Sequence, residues 1–412
     1  MSSRTYPIHH PEKRQGTDTD PDRHRRNKRA LAIVFLIIFI DLLGFGIVIP
    51  ILPLYAKRGF GMPDALIGVL VSSFPLMQLV FTPFWGKWSD RIGRKPVLSI
   101  GLLFTMTGYV LFGLASSVPV LFLSRMLAGI GGSNIGAAQA FIADSTGGHE
   151  RAKGMGLVGT AFGLGFVFGP VIGGLLSRYG YAVPGFSAAC LSFLALLLTL
   201  GLLPQHQRHA THEPHAFALS PRALRRTVSR LGVRRHMLLF FLVTFAYANT
   251  HGTLPLLAAR VFGYADYQVG YLFGFMGIIS AATQGVALRF LLRTTRERSL
   301  FLVGSILTMI GLISIPLCAG TITLYAALGI LAFGSSLLPP TLIAFVSRLA
   351  EPAKQGETLG VNESLGALGR TLGPAWGAFV FQTFGPPAPF FTGGAIMGAA
   401  LFYAWKSVGK DS

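Results

Sequence analysis

Four acidic or basic side chains of this 412-residue chain, all formally charged at pH 7, lie well inside long apolar runs of its sequence. They are Asp41, Arg125, Glu363 and Arg370. Charge in an apolar setting is costly, so such groups bind protons, pair with one another or face a water-filled cavity. The chemistry that they predict is proton binding and ion pairing. Because the sequence shows neither a nucleophile–base pair nor a metal-ligand set, it predicts neither an enzyme nor a metal site.

Asp41 is the best candidate for a group that carries a proton. It lies well inside the apolar run 31–55, at the start of the segment DLLGFGIVIPILP. An ionised carboxylate near the middle of a membrane loses its hydration, and this loss favours the protonated form. The alternative is a structural acid that is hydrogen-bonded to neighbouring helices.

The composition predicts a chain that crosses a membrane many times. Hydrophobic residues make up 51% of the chain and charged residues only 12%, whereas soluble domains carry about 25% charge. About 20 helical residues cross the hydrocarbon core, so the apolar runs predict an all-α integral membrane protein with twelve transmembrane helices. The predicted helices are 31–55, 65–85, 96–115, 119–143, 153–176, 184–204, 237–258, 267–290, 299–318, 322–348, 357–381 and 387–405.

These helices fall into two groups of six. The predicted parts are a basic tail (1–29), a first six-helix half (30–204), a linker (205–236), a second six-helix half (237–405) and a tail (406–412). The stretch PLYAKRGFG at 53–61 is repeated as PLLAARVFG at 255–263, and glycines of the fifth helix recur in the eleventh. A parallel duplication of six helices around a central cavity is an architecture of secondary transporters.

The distribution of Lys and Arg predicts the orientation in the membrane. Most of them lie in the first tail, in the linker and in every second loop, which places both termini in the cytoplasm. The loops on the other side hold Lys57, Arg58, Arg178 and Arg260. The net charge of +19 therefore faces anionic lipid, and nucleic acid is not a predicted partner. The chain has no Walker sequence that would bind nucleotide phosphates, so uphill transport would use a proton gradient without a cofactor.

A charged island, GKWSDRIGRKPVL at 86–98, joins the second and third helices. It resembles the loop 2–3 signature of the major facilitator superfamily, G-x-x-x-D-R-x-G-R-K. The resemblance implies a cytoplasmic gate that locks the two halves together in the outward-open state. The gate residues here are Gly86, Asp90, Arg91, Gly93, Arg94 and Lys95, with Asp144 and Arg151 at the end of the fourth helix. The alternatives are a positive-inside anchor for the island and a solvated loop charge for Asp144.

The second half keeps the basic residues of this island but lacks its acid. The corresponding positions are Leu292, Arg293 and Arg296. Anchoring to lipid needs only the basic residues, so Asp90 is the residue that distinguishes a lock from an anchor. The gate is therefore predicted to be asymmetric.

The fifth helix carries GLGFVFGPVIGG at 163–174, which resembles the signature of the antiporter branch of the same superfamily. Three glycines at intervals of four share one helix face and allow another helix to approach closely. A proline among them kinks or stiffens the helix. The residues are Gly165, Gly169, Pro170, Gly173 and Gly174. Generic packing of small residues is the alternative.

Two further charged groups have more than one interpretation. Arg125 resembles the arginine of the fourth helix that the superfamily links to proton coupling, but it could also snorkel from the outer end of that helix. Glu363 and Arg370 share a helix face because they are seven residues apart. Glu363 is therefore a candidate for proton coupling, for the gate or for a structural ion pair with Arg370.

The first helix resembles that of the tetracycline-efflux proteins in the spacing of an acid, two glycines and two prolines. These residues are Asp41, Gly44, Gly46, Pro50 and Pro53. Gln284 also matches that pattern, whereas the seventh helix does not follow it. The polar residues predicted to line a substrate cavity are Gln78, Asn134, Asn249, His251, Gln284 and Arg370. Each of them could instead satisfy a neighbouring helix.

Together these features predict a secondary active transporter of the drug:proton antiporter type. It would export an amphiphilic, drug-like small molecule in exchange for protons by alternating access, as a monomer in the cytoplasmic (inner) membrane of a prokaryote. The predicted partners are the small-molecule substrate, protons and membrane lipids. The alternatives are a proton-coupled symporter or facilitator of a sugar, metabolite or lipid, and a receptor or scaffold without turnover.

The linker repeats histidine every three residues. The residues are His206, His209, His212 and His215. Imidazole binds zinc or nickel, but prolines make this stretch a loop, so the main interpretation is a solvated low-complexity segment, with metal sensing as the alternative.

Overall fold

The computed structural model describes residues 21–145, 148–203, 231–351 and 355–407, without the side chains of 21–30, 143–145, 148–153, 155, 231 and 407. Fifteen α-helices account for most of the described chain. In the first half they are α1 (Pro21–Val48), α2 (Leu52–Phe60), α3 (Asp64–Ile92), α4 (Arg94–Gly113), α5 (Val118–Gly132), α6 (Ile135–Ser145), α7 (Gly148–Leu176) and α8 (Ala182–Leu202). In the second half they are α9 (Leu231–Val261), α10 (Asp266–Ala282), α11 (Leu288–Thr294), α12 (Glu297–Ser314), α13 (Thr321–Leu349), α14 (Gln355–Phe384) and α15 (Ala388–Ser407). The histidine repeat of the linker lies outside the described residues.

Eleven segments in the described part of the chain are long and apolar enough to span a membrane. Three of these spans are composite. α1 and α2 are separated at Pro50, and α5 and α6 are separated at Ser133 and Asn134. α10 and α11 are continuous through a π-helical turn, Thr283–Ala287.

The predicted span at 357–381 is not among these eleven and corresponds to α14. This helix has 30 residues but is more polar than the other eleven. It carries Glu357, Glu363 and Arg370. α14 packs against α3 and α9, and these contacts shelter part of its surface from lipid. The all-α fold with twelve spans in two halves is therefore confirmed.

Two predicted loops are shorter than the sequence suggested. Lys57 and Arg58 belong to the last turn of α2. The charged island 86–98 is helical except at Gly93, because α3 runs to Ile92 and α4 begins at Arg94. Gly93 has a φ of 97°, which glycine adopts without a steric penalty. A single residue thus turns the chain, and the gate motif lies on two helix ends.

The packing of helices is duplicated along with the sequence. In the first half α1 packs on α7 and α8, while α4 packs on α5 and α8. In the second half α9 packs on α14 and α15, while α12 packs on α13 and α15. The halves meet where α3 contacts α14 and where α7 contacts α10. Since α3 corresponds to α10 and α7 to α14, the interface consists of two equivalent contacts.

Glycines of α7 hold this helix directly against α1. A Cβ atom at Gly169 would lie 2.6 Å from the Cα of Gly46, and one at Gly165 would lie 3.0 Å from the Cβ of Leu42. Gly173 follows on the same face and contacts the backbone of Ile47. The three glycines therefore share one face, as predicted, and this face packs within the first half.

A methyl group on this face should destabilise the protein. We expect Gly169→Ala to lower the free energy of unfolding by about 1–3 kcal/mol, because α1 and α7 would have to separate. The matched control is Gly159→Ala on the same helix, where an added Cβ would meet no heavy atom within 4 Å. Thermal unfolding of both variants in detergent measures the difference, and equal midpoints would contradict the assignment.

Candidate functional site

The two ends of the helix bundle differ in charge. We call the end that carries Arg94, Arg293 and Arg348 the basic face, and the opposite end, with Asp64 and Asp266, the far face. The two halves pack closely near the far face, and α7 and α10 diverge toward the basic face, as the following contacts show.

Small residues bring the halves together near the far face. A Cβ at Gly68 of α3 would lie 3.1 Å from the Cα of Ala375 of α14, and the Ala375 N–H donates to Ser72 Oγ at 3.1 Å. In the equivalent contact, a Cβ at Gly174 of α7 would lie 3.1 Å from the Cα of Gly270 of α10. Both contacts between the halves therefore involve backbone atoms in direct approach.

One of these helix pairs, α7 with α10, diverges toward the basic face. A Cβ at Gly163 of α7 would lie 3.6 Å from the Cβ of Ala281 of α10. One turn further on, a Cβ at Gly159 would meet nothing within 4 Å, and the same holds for Gly156 and for Gly285. Among the described residues, α7 and α10 are therefore further apart toward the basic face than near the far face.

Ion pairs cross between the halves at the far face. Arg58 of α2 donates to Asp266 Oδ1 at 2.9 Å and to the Tyr264 carbonyl at 3.1 Å. Arg260 of α9 approaches Asp64 Oδ2 at 3.9 Å. Arg58 and Arg260 occupy corresponding positions of the repeat, and so do Asp64 and Asp266. Each half therefore supplies one arginine and one aspartate, and we call these four residues the reciprocal latch.

Further polar contacts surround the reciprocal latch. The Ala65 N–H donates to Gln382 Oε1 at 2.9 Å, and the Arg178 guanidinium lies 3.8 Å from the Tyr267 ring centre. Burial, and then the negative charge of Asp266, raise the pKa of Tyr181 to about 12. The phenol is therefore neutral at physiological pH. The sequence analysis treated the basic residues only as loop charges, although the repeat contained the signal for their pairing.

Arg94 and Lys95 of the gate motif, at the basic face, make contacts within the first half. Arg94 donates to Asp90 Oδ1 at 2.7 Å and to Ser89 Oγ at 2.8 Å. Lys95 donates to the Leu200 carbonyl at 2.8 Å. The Asp90 carboxylate is half exposed, so it remains accessible to a further partner. The side chains of Asp144 and Arg151 lie outside the described residues, and their part in the gate stays a prediction.

Asp41 and Arg125 are both buried inside the first half. Asp41 is 8% exposed and Arg125 is 2% exposed. Asp41 Oδ1 and the Nε and Nη1 atoms of Arg125 have no hydrogen-bond partner among the described residues. The Arg125 guanidinium lies 4.9 Å from the Phe74 ring centre. A side chain this deeply buried does not snorkel to the membrane surface, so that alternative for Arg125 is wrong.

Tyr109 of α4 links these two groups, and the sequence analysis missed it. Its side chain is buried against α1, where its ring lies 3.3 Å from the position of a Cβ at Gly44. Asp41 and Arg125 are both electrostatic neighbours of its hydroxyl. A single tyrosine in an apolar run has no distinguishing sequence signal, so only the folded structure reveals this group of three.

Glu363 and Arg370 form an ion pair on α14. Arg370 Nη2 lies 2.6 Å from Glu363 Oε1, and their side chains remain 41% and 60% exposed. The same helix face continues to Pro374, whose carbonyl packs against Gly68 where the halves touch. The pair thus lies just beyond this contact, and exposed charges inside a span need water.

Two residues predicted to line the cavity are buried in this structure. Asn249 is buried and donates to the Pro389 carbonyl at 2.6 Å, which ties α9 to α15. Asn134 is also buried and fills the space beside Gly101 of α4. Both side chains lie in helix–helix contacts in this structure, and their assignment to the substrate cavity stays a prediction.

The remaining predicted cavity residues differ in their contacts. Gln78 donates to the Gly132 carbonyl at 3.1 Å and so ties α3 to α5. His251 Nδ1 lies 3.3 Å from the Ala248 carbonyl, and its ring packs edge-on against Tyr247. Gln284 is exposed in the π-helical turn. Of these three, His251 lies beside Gly252, which packs on Pro374 near the pair of charges on α14.

A bundle of two parallel six-helix halves is an architecture of secondary transporters. A sequence profile described as the Major Facilitator Superfamily matches residues 34–323 and, in a second match, residues 237–411. The chain therefore belongs to the Major Facilitator Superfamily.

Named relatives agree with this assignment. The chain is 32% identical over 363 residues to the tetracycline resistance protein, class E, of Escherichia coli, covering 86% of this chain and 88% of that protein. It is 27% identical over 396 residues to multidrug resistance protein 2 of Bacillus subtilis, covering 93% and 97%. The crystal structure of the human organic anion transporter MFSD10 (TETRAN) superposes with a TM-score of 0.71 at 26% identity, covering 92% and 99%.

The reciprocal latch predicts that substitutions of the adjacent residues Lys57 and Arg58 have different effects on the closure of the far face. Arg58 pairs across the halves, whereas Lys57 pairs with Asp64 of its own half at 2.7 Å. Because an exposed ion pair contributes about 0–1 kcal/mol, Arg58→Gln should raise the population open at the far face by up to about fivefold. Lys57→Gln should change it little.

The measurement is the labelling rate of a cysteine introduced at the buried Ser72, in a background without Cys190 and Cys318, with a water-soluble maleimide. The exchanged pair Arg58→Asp with Asp266→Arg should restore slow labelling. Equal labelling in the Arg58 and Lys57 variants would contradict the latch.

Proposed function

We propose that this protein exports amphiphilic, drug-like small molecules in exchange for protons. The observation that carries the proposal is the buried Asp41, which has an unpartnered Oδ1 atom and lies with Tyr109 and Arg125 inside the first half. A carboxylate in such a site changes its protonation when its surroundings alternate between water and protein. The tetracycline and multidrug resistance proteins among the relatives support the direction of transport and the class of substrate.

The basic face is, in this proposal, the cytoplasmic face. Cytoplasmic loops of membrane proteins carry an excess of Lys and Arg, and Arg289, Arg293, Arg296 and Arg298 cluster at this end. Both termini then lie in the cytoplasm of a prokaryotic cell. The protein itself lies in the inner membrane as a monomer. We infer an inward-open state, because the halves touch near the far face at Gly68 and Gly174, whereas α7 and α10 diverge toward the basic face.

Alternating access follows from exchanging one set of contacts for another. In the inward-open state the reciprocal latch holds the far face closed while the substrate enters beside Arg370 and Glu363, with Asp41 ionised. The halves then rock and the reciprocal latch separates. Asp90 and Asp144, together with the arginines of the gate motif, then lock the basic face. From outside a proton binds Asp41 and the substrate leaves, and the carrier with protonated Asp41 returns and releases the proton into the cytoplasm. Each contact is worth about a few kcal/mol at most, which is enough to bias two states of similar energy.

A second candidate function is the transport of organic anions. MFSD10, a human protein of similar structure, is described as an organic anion transporter, and Arg370 offers a partly exposed cation inside the span. Glu363 already neutralises this cation, so an anionic substrate must displace the carboxylate. A symporter or facilitator of a sugar, metabolite or lipid shares the fold and is separated from an antiporter by the direction of proton flux when substrate is added.

The proton carrier is tested with Asp41→Asn in proteoliposomes that contain a pH-sensitive dye. Tetracycline, a lipophilic cation and an organic anion serve as substrates. We expect substrate-driven proton flux to fall at least tenfold, because the amide cannot bind the proton. Glu363→Gln identifies which acid carries the proton: coupling that survives Asp41→Asn and disappears in Glu363→Gln would overturn the assignment.

The gate is tested with Asp90→Asn, which keeps the size of the side chain and removes its charge. We expect the transport rate to fall about tenfold while insertion and topology stay unchanged, because topology depends on the basic residues. Asp90→Glu is the matched control and should retain most of the activity. Full transport by Asp90→Asn would show that the motif is only an anchor.

A further inference from the structure

A cavity lies at the basic face within the second half. It has a volume of about 710 Å³ and lies between the ends of α11 and α13 and the beginnings of α9 and α12. Volumes of this size are typical of sites that bind small molecules. The lining residues are His236, Leu292, Arg293, Thr294, Thr295, Arg296, Glu297, Arg298, Phe345, Arg348 and Leu349.

The charge of this cavity is strongly positive. Four arginines line it, whereas Glu297 is its one acid, and Glu297 forms an ion pair with Arg348. Among the described residues Arg293, Arg296 and Arg298 form no ion pair. The N-cap residue of α12 is Arg296, whose side chain caps none of the N–H groups of the first turn. Guanidinium groups and free N–H groups at a helix start both favour a phosphate-type anion.

Aromatic and apolar residues form part of the cavity lining. His236 is buried, and its Nδ1 donates to the Gly232 carbonyl at 2.9 Å. Its ring lies 5.4 Å from the Phe345 ring. Leu292 and Leu349 also line the cavity and are exposed. Phe290, two residues before Leu292 on α11, is exposed as well. A soluble anion makes no favourable contact with these exposed apolar side chains, whereas the acyl chains of a lipid would cover them.

We propose that this cavity binds the headgroup of an anionic phospholipid, with the phosphate at Arg296 and Arg298 and an acyl chain along Leu292 and Leu349. A topogenic charge cluster needs neither a cavity nor a buried histidine in its lining, so this concave arrangement is more specific than a positive-inside signal requires. The proposal does not depend on which solute the protein transports.

The position of the cavity connects it to the moving part of the protein. α11 joins α10 through the π-helical turn Thr283–Ala287, and α10 packs on α7 of the other half. A lipid bound between α11, α12 and α13 therefore holds one end of a span whose other end forms the contact between the halves.

The test titrates the full-length protein in neutral detergent with dioleoyl phosphatidylglycerol, with dioleoyl phosphatidylcholine or with inorganic phosphate. Native mass spectrometry counts bound lipids, and thermal unfolding reports stabilisation. We expect phosphatidylglycerol to bind more tightly than phosphatidylcholine. Arg296→Gln and Arg298→Gln should each weaken its binding about fivefold, the usual contribution of one basic residue near a lipid surface.

Lys406→Gln is the matched control, because Lys406 is a basic residue at the same face that does not line the cavity. It should leave phosphatidylglycerol binding unchanged. Equal binding of the two lipids, or an equal loss in the Lys406 variant, would overturn the proposal. Inorganic phosphate that binds as tightly, with the same dependence on Arg296 and Arg298, would overturn the lipid as the source of the anion. If either variant does not fold, Arg293→Gln, at another arginine that lines the cavity, makes the same test.

Discussion

Charged side chains inside a membrane span persist only where protein or water replaces the hydration that they lose. This constraint accounts for the arrangement of the intramembrane charges. Asp41 and Arg125 are enclosed within the first half, with Phe74 against the guanidinium, whereas Glu363 and Arg370 pair on α14 and remain exposed. A carrier that alternates between two states needs both arrangements, since a buried group can change its protonation while an exposed one meets the solute.

Duplication of the chain explains how two states can have similar energies. The halves touch through two equivalent helix pairs, α3 with α14 and α7 with α10. Glycine in these seams allows backbones to touch, as at Gly68 and Gly174. The reciprocal latch adds paired charges related by the same repeat. The gate motif lacks this symmetry, because Leu292 replaces its acid in the second half.

Local sequence patterns predicted some features better than others. Apolar runs of sufficient length predicted all twelve spans, including the polar α14, and the glycines of α7 predicted one packing face. The cavity residues were less accessible, because helical period does not tell whether Asn249 faces a cavity or a neighbouring helix. Asn249 in fact donates to the Pro389 carbonyl. Tyr109 gave no signal at all, since its importance arises from neighbours on α1 and α5 that are distant in sequence.

The sequence by itself determined the membrane environment, the two six-helix halves and the charged groups that must be sheltered, because hydrophobicity, spacing and repeats are local properties. Only the tertiary structure decided which charges meet. Arg58 finds Asp266 and Arg260 approaches Asp64 because the halves close at the far face, and α11, α12 and α13 converge to form the arginine-lined cavity. Such pairings depend on the three-dimensional approach of distant helices, which no local pattern encodes.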